Sequence, residues 1–116
     1  MPKTKLDPLP SAAFHILVVL ADEDLHGYGI MRAVAAQTGG KVRLGPGTLY
    51  GSIKTLLEGR LIEELGERPD SGQGAERRRY YRLTSAGRKL VRSEAERLAA
   101  MVRLARAKRF LRGAYV

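Results

Sequence analysis

The residues of this chain with the most evident chemistry are the arginines and tyrosines of residues 77–83, RRRYYRL. Arg77, Arg78 and Arg79 place three guanidinium groups in a row, and guanidinium groups bind phosphate through paired hydrogen bonds. The charge distribution also favours a polyanionic partner, because residues 77–116 contain 13 Lys and Arg but 2 acidic residues, whereas residues 1–76 contain 8 and 10. A solvated basic helix face and binding to an anionic membrane are the alternative explanations of this charge step.

Catalytic or metal chemistry finds no support in the sequence. Cysteine is absent, which excludes disulfides, thiolate metal sites and a cysteine nucleophile. His15 lies in an apolar segment, where a packed or interface histidine is expected, and His26 lies at a predicted helix start. Neither histidine has acidic partners at the spacing of metal ligands. We therefore predict no catalytic residues, no metal site and no cofactor, and we do not expect an enzyme.

A second chemical pattern lies in residues 45–59, GPGTLYGSIKTLLEG. Pro46 suits the first position of a helix, and apolar residues recur at helical spacing to give that helix one core face: Leu49, Ile53, Leu56 and Leu57. The polar side chains away from this face are placed to contact nucleic-acid bases or phosphates: Thr48, Tyr50, Ser52, Lys54 and Thr55. Burial of Tyr50 as a core aromatic is the alternative. Lys41 and Arg43, on a short connector before the helix, are predicted phosphate contacts.

The segment before this helix predicts an arm and an apolar helix. Residues 1–10 are rich in proline and predict a flexible N-terminal arm. Ser11 is expected to cap a helix over residues 11–22. This helix is apolar on nearly all sides, and such a helix needs several covering surfaces. We therefore expect a second subunit to cover part of it, through Phe14 and Leu17.

The segment after residue 59 predicts a β-hairpin. Alternation of side chains favours strands at 61–68 and 77–83, and the intervening residues 69–76 contain the Pro, Asp, Ser and Gly typical of a hairpin tip. Strand alternation also places one of Tyr80 and Tyr81 in the core and the other on the wing, but leaves open which one points inward.

The last helix is predicted to begin after the capping residue Thr84 and to continue to about residue 112. Such a helix would be roughly 40 Å long, which is more than a domain of this size can cover. Its apolar stripe is therefore expected to pack against a second copy of the chain, through Leu90, Val91, Leu98, Met101, Val102 and Ala105. A helix that folds back on its own core is the alternative.

Together with a helix between residues 26 and 40, these elements predict a mainly α fold with a small β-hairpin wing. This is a winged helix-turn-helix followed by a long C-terminal helix. The predicted domains are a flexible arm at 1–10, a DNA-binding domain at 11–83 and a dimerisation helix at 84–116. The expected partners are double-stranded DNA and a second copy of the chain. The alternative is a basic winged-helix module that binds RNA or protein without operator specificity, since charge alone does not separate DNA from RNA.

A membrane partner is not expected. The longest apolar run, residues 11–21, is shorter than the roughly 20 residues that span a bilayer, and the first residues show no cleavage site typical of a signal peptide. A cytoplasmic location is therefore expected.

Four short motifs, taken in this order, resemble the signature of PadR-type transcriptional regulators: HGYGI at 26–30, GTLY at 47–50, LI at 61–62 and RYYRLTSAG at 79–87. The resemblance covers about residues 11–92. It implies a winged helix-turn-helix, a homodimer joined through the C-terminal helix, and binding to palindromic operators, usually as a repressor. The single C-terminal helix is similar to the compact branch of this family, and Tyr50 resembles the family's DNA-facing tyrosine.

The chain departs from the family pattern at two places. Family members commonly place glycine directly before the Leu-Ile pair, whereas here Gly59 precedes Arg60. Either the helix end is shifted, or Arg60 takes a left-handed conformation. Some compact relatives bind flat drugs between aromatic residues, notably tryptophan, but this chain contains no tryptophan. The resemblance therefore does not imply drug sensing, and an unidentified small-molecule effector stays open.

Overall fold

The structure is a computed structural model that describes residues 6, 8–69 and 77–112. Its elements are α1 (Ser11–Leu20), β1 (Leu25–His26), α2 (Gly27–Gln37), α3 (Pro46–Glu58), β2 (Ile62–Pro69), β3 (Arg77–Leu83) and α4 (Ser85–Ala107). The predicted fold class is confirmed, because these helices and strands form a winged helix-turn-helix followed by a long helix.

The strands form one antiparallel sheet in the order β1-β3-β2. In the predicted hairpin, β2 and β3 pair from Ile62 opposite Leu83 out to Pro69 opposite Arg77. The strand β1 was not predicted; it places His26 opposite Tyr80 and thereby joins the start of α2 to the wing. Most of the predicted hairpin tip, residues 70–76, lies outside the described residues.

The core lies where α1, α2 and α3 meet the inner side of the sheet, and α4 also packs on α1. Leu17 of α1 is 0 % exposed within the single chain, so it has no surface to offer a partner, contrary to the prediction. Phe14 is half-buried and packs against the same core. Leu9 also belongs to the core, so the packed part of the chain begins inside the segment that was predicted to be a flexible arm.

The first helix has no side-chain cap. Pro10 is its N-cap and Ser11 is its first helical residue, so the prediction that Ser11 caps the helix is wrong. The cap of α4 is as predicted, since the Thr84 hydroxyl accepts a hydrogen bond from the Gly87 N–H at 3.0 Å. The α4 helix ends at Ala107, earlier than predicted. Arg109 then takes a left-handed φ of 67°, which closes the helix.

The end of α3 resolves the departure from the family pattern. Gly59 keeps a right-handed conformation, whereas Arg60 has a φ of 59°. The N–H groups of Arg60 and Leu61 donate to the carbonyls of Leu57 and Leu56, each at 3.0 Å. This is the Schellman arrangement of a helix end, in which the left-handed position is normally glycine. The helix end is therefore in its ordinary place, and arginine occupies a backbone conformation that disfavours side chains.

Candidate nucleic-acid interface

Helix α3 is oriented by its buried side, which is formed by Leu49, Ile53 and Leu56. Three of the five polar residues predicted to contact nucleic acid are exposed: Thr48, Tyr50 and Lys54. The other two, Ser52 and Thr55, are half-buried on the flank of α3 that faces the start of α1. The Thr55 hydroxyl donates its hydrogen bond to the Gly51 carbonyl at 3.1 Å. Toward a ligand it can therefore act mainly as a hydrogen-bond acceptor.

Tyr50 lies on the outside of the fold, with 54 % of its surface exposed. The alternative that it is a core aromatic is therefore wrong. Its ring leans on the first residue of α2: a Cβ atom added to Gly27 would lie 2.6 Å from the Tyr50 hydroxyl oxygen and 3.0 Å from Cζ. Glycine at position 27 thus leaves room for the tyrosine, which occupies the junction of α2, α3 and the wing.

The question of which wing tyrosine points inward is also resolved. Tyr81 is in the core, 6 % exposed, whereas Tyr80 is half-buried. Burial, followed by the nearby Glu64 carboxylate, raises the pKa of the Tyr81 phenol. Tyr81 is therefore neutral at physiological pH and serves as a packing residue beneath the wing.

An aromatic cluster formed by His26, Tyr28 and Tyr80 joins α2 to the wing. The His26 ring stacks on Tyr28 with 6.5 Å between centroids and meets Tyr80 edge-on at 5.2 Å. Its Nδ1 accepts a hydrogen bond from the Gly29 N–H at 2.9 Å, which caps α2. Two guanidinium groups, those of Arg32 and Arg78, lie 5.8 and 5.7 Å from the Tyr28 ring centroid, within cation–π range.

This aromatic cluster was not predicted as part of the site. The HGYGI motif marked two of its residues, but only as a family signature. The pairing of β1 with β3 brings the motif beside the basic strand, and that pairing joins residues 25–26 to 80–81.

A cleft of about 390 Å³ separates the start of α2 from the wing, and Tyr50 lies at its edge. The lining residues combine aromatic rings with one acidic and two basic side chains: His26, Gly27, Tyr28, Tyr50, Glu67, Arg78, Arg79 and Tyr81. A second, basic depression adjoins this cleft, since Tyr28 lines both. Arg32 and Arg43 also line the second depression. Lys41 and Lys54 are exposed.

Two arginines of β3 are paired with carboxylates of the same chain. Arg79 Nε lies 2.7 Å from a Glu64 carboxylate oxygen. Arg82 donates two hydrogen bonds to Asp24, at 3.0 and 3.3 Å, which ties β3 to the turn after α1. The side chain of Arg77 lies outside what the structure describes. At least two arginines of the basic strand are therefore held in ion pairs with neighbouring parts of the fold.

The outer half of α4 carries an apolar surface that no other described residue covers. Met101 is 54 % exposed and Leu104 is 56 % exposed, and Leu98 and Val102 are exposed as well. Ala105 is half-buried, whereas Leu90 and Val91 pack on the core of the same chain. The predicted stripe is thus divided into an inner part that joins the domain and an outer part that faces solvent.

The described residues contain no group of three or more His, Asp or Glu side chains arranged to hold a metal ion. Within the same ranges, no helix is both long and apolar enough to cross a membrane.

Solved structures show the same fold in other proteins. A transcriptional regulator from Clostridium thermocellum matches with a TM-score of 0.70 and 23 % identity, covering 86 % of this chain and 92 % of that one. A PadR family transcription regulator from Clostridium difficile also has a TM-score of 0.70, with 20 % identity over 84 % of this chain and 97 % of that one. Bacillus subtilis PadR in complex with operator DNA matches with a TM-score of 0.62 and 19 % identity, covering 72 % of this chain and 47 % of that one.

Sequence comparison gives the family. An uncharacterized 37.1 kDa protein in transposon TN4556 of Streptomyces fradiae is 40 % identical over 84 residues, which are 72 % of this chain. The chain spans 22 % of the length of that protein. The sequence model of the transcriptional regulator PadR-like family matches residues 16–93, from the middle of α1 through the wing into α4. Since this match covers more than half of the chain, the chain belongs to the PadR-like family of transcriptional regulators.

Proposed function

We propose that this protein is a sequence-specific DNA-binding repressor that binds an inverted-repeat operator as a homodimer. The observation that carries the proposal is the junction at Tyr50, where the exposed side of α3 and the basic wing border the same cleft. Family membership supports the class of function. The fold shared with Bacillus subtilis PadR, whose structure contains operator DNA, supports the mode of binding.

In this proposal α3 enters the major groove. The second helix of a helix-turn-helix presents its N-terminal residues to base edges, and Thr48 and Tyr50 are the exposed polar residues at that end of α3. Hydroxyl groups bond several bases, so selectivity requires several such contacts together. Lys54 lies one turn further along, where its longer side chain suits a phosphate.

The basic residues around α3 would hold the sugar-phosphate backbone. Lys41 and Arg43 lie on the connector before α3, and Arg78 and Arg79 lie on the wing. Phosphate would have to displace Glu64 from Arg79, which the exposure of this pair favours because exposed ion pairs contribute little to stability. Binding that depends on such contacts weakens steeply with salt, since each neutralised phosphate releases counterions.

The outer part of α4 is the proposed dimer contact. Helix α4 has 23 residues and is about 35 Å long, and its exposed apolar residues lie near its C-terminal end. Pairing two such surfaces would remove them from water and hold two α3 helices at a fixed separation. Two half-sites about 10–10.5 bp apart, or a multiple of that distance, would then be protected. A repressor of this kind would act in the cytoplasm, where we place the protein.

Selection of bound duplexes from a random pool tests the proposal. We expect wild-type protein to enrich one palindromic sequence and a footprint to cover both halves. Enrichment of a single unpaired half-site would contradict the dimer. Failure to enrich any duplex, or preferential binding of structured RNA in competition at physiological salt, would contradict DNA recognition and favour the RNA-binding alternative.

The wing is tested by the salt dependence of binding. Replacing Arg77, Arg78 and Arg79 together by glutamine should reduce the slope of log affinity against log salt by about 0.9 for each phosphate that is no longer neutralised. The matched control replaces three exposed cations of α4, Lys89, Arg92 and Arg103, by glutamine, which removes the same number of charges outside the wing. A slope unchanged in the triple variant would mean that the wing does not contact phosphate.

A further inference from the structure

Five of the ten glycines in the described part of the chain occupy positions where a side chain would be strained or would collide with a neighbour. Gly39, Gly40 and Gly66 have φ values of 62°, 82° and 88°, which side chains rarely adopt. Gly27 makes room for Tyr50, and a Cβ atom at Gly87 would collide with the Leu61 carbonyl and with Leu83. At four of these positions glycine serves the backbone conformation or the packing of the fold, and at Gly27 it serves the position of Tyr50.

Gly47 and Gly51 have no such reason. Both lie inside α3, at its second and sixth residues, and neither has a positive φ. A Cβ atom added at either position would have no described neighbour within 4 Å beyond the local helix. A helix with glycine in its interior is less stable than one with alanine there. Gly51 therefore lowers the stability of the fold, and no packing contact of the described residues requires it.

The two glycines occupy the side of α3 that points away from the core. With 3.6 residues per turn, positions 47 and 51 lie opposite the buried Leu49, Ile53 and Leu56 and form a ridge without side chains. Tyr50 and Lys54 border this bare ridge on one side, and the hydroxyl residues Thr48, Ser52 and Thr55 border it on the other. A shallow recess of about 310 Å³ runs along the hydroxyl side, and both glycines help to line it.

We infer that Gly47 and Gly51 set the depth to which α3 enters the major groove, and so control operator selectivity. This inference rests on the proposed function. With no side chains on the ridge, the helix backbone meets the base edges directly, and the short hydroxyl side chains on its flank come within hydrogen-bond distance of them. A methyl group at position 51 holds the helix back by about 1.5 Å, the length of one carbon–carbon bond.

A displacement of about 1.5 Å affects base contacts and phosphate contacts differently. Hydrogen bonds from short hydroxyls are made near 2.7–2.8 Å, so the exposed Thr48 no longer makes them when the helix retreats. The long side chains of Lys54 and Arg78 extend further and keep their phosphates. Specific binding therefore falls while nonspecific binding is retained, because base contacts carry the selectivity and phosphate contacts do not.

The experiment compares Gly51→Ala with wild type and with Ser93→Ala, an exposed helical position on α4. The probes are the duplex that wild-type protein selects from a random pool and a scrambled duplex of the same composition. We expect Gly51→Ala to lower affinity for the selected duplex at least tenfold and to change affinity for the scrambled duplex less than twofold. Its thermal midpoint should rise by about 4 °C, and Ser93→Ala should leave both affinities unchanged.

Three results would overturn the inference while leaving the proposed function intact. These are an affinity of Gly51→Ala for the selected duplex within twofold of wild type, an equal loss of affinity for both duplexes, or a lower thermal midpoint. A wild-type protein that selects no duplex would instead remove the proposed function, and this inference would fall with it.

Discussion

Replacing Gly27 by alanine is expected to move Tyr50 and weaken operator binding without unfolding the domain. The added Cβ atom would lie 2.6 Å from the Tyr50 hydroxyl oxygen, and ordinary contact begins near 3.4 Å, so the oxygen must withdraw by about 0.8 Å. Tyr50 is free to make this movement because its ring is more than half exposed. The cost to folding should stay below about 1 kcal/mol, since alanine is also the better helix former.

The loss of binding free energy should be larger than this loss of folding free energy. A net contribution of roughly 0.5–1.5 kcal/mol is typical of one neutral hydrogen bond, and a homodimer presents Tyr50 twice. Removal of both hydrogen bonds amounts to about 1–3 kcal/mol, which is roughly a 5- to 150-fold decrease in affinity. Fluorescence anisotropy on the selected duplex measures this, and thermal unfolding followed by circular dichroism measures the fold.

A double-mutant cycle and a second glycine test whether Tyr50 transmits the effect of Gly27→Ala. In a Tyr50→Ala background, Gly27→Ala should have no further effect on affinity, because the displaced side chain is gone. Gly87→Ala is the contrasting control: its Cβ atom would lie 2.5 Å from Leu83 Cδ1 and closer still to the Leu61 carbonyl oxygen. Neither neighbour can withdraw, so this variant should lose about 1–3 kcal/mol of stability or more. An equal effect of Gly27→Ala in both backgrounds would show that Tyr50 does not transmit it.

Three other predictions concern stability and assembly. Arg60→Gly should stabilise the fold by about 0.5–1 kcal/mol in urea unfolding, because it relieves a left-handed conformation; a decrease in stability would contradict this. Leu98→Asp should give a folded monomer in light scattering, since Leu98 is 37 % exposed in the single chain, whereas Ser93→Asp should remain dimeric. The hydrogen bond from Arg97 lowers the pKa of Glu94, so its stabilisation is complete above about pH 4.5 and lost as pH falls through the lowered pKa. Glu94→Gln should therefore flatten the acid side of the stability–pH curve, and an unchanged curve would exclude this pair as a contributor.

The elements that the sequence predicted well are those with strong local signals. Pro46 marks the first residue of α3, Thr84 caps α4, and β3 has the predicted bounds of 77–83. Each signal acts within a few residues of the chain, through a fixed φ, a capping oxygen or strand alternation. The two-residue strand β1 has no periodicity to detect, so it was missed although it positions His26.

The burial of α1 depended on contacts that no local pattern specifies. Its apolar sequence was explained by a second subunit, but α2, α3, α4 and Leu9 of the same chain surround it. Hydrophobicity shows that a helix side is covered and does not identify the covering surface. The same limit applies to the candidate site: the HGYGI residues were recognised as a motif, yet their contact with Arg78 and Tyr80 arises from the pairing of β1 with β3.

The charge available to DNA is also a property of the folded chain rather than of its composition. Arg82 follows the basic triplet and its tyrosines in sequence, but its two hydrogen bonds to Asp24 raise its pKa and commit it to the fold. Arg79 is paired with Glu64 on the neighbouring strand in the absence of DNA. Because both members of that pair are substantially exposed, the pair constrains the guanidinium only weakly and phosphate can replace the carboxylate. Under the proposed function, Arg79 would therefore exchange the Glu64 carboxylate for a phosphate at little cost to the stability of the fold.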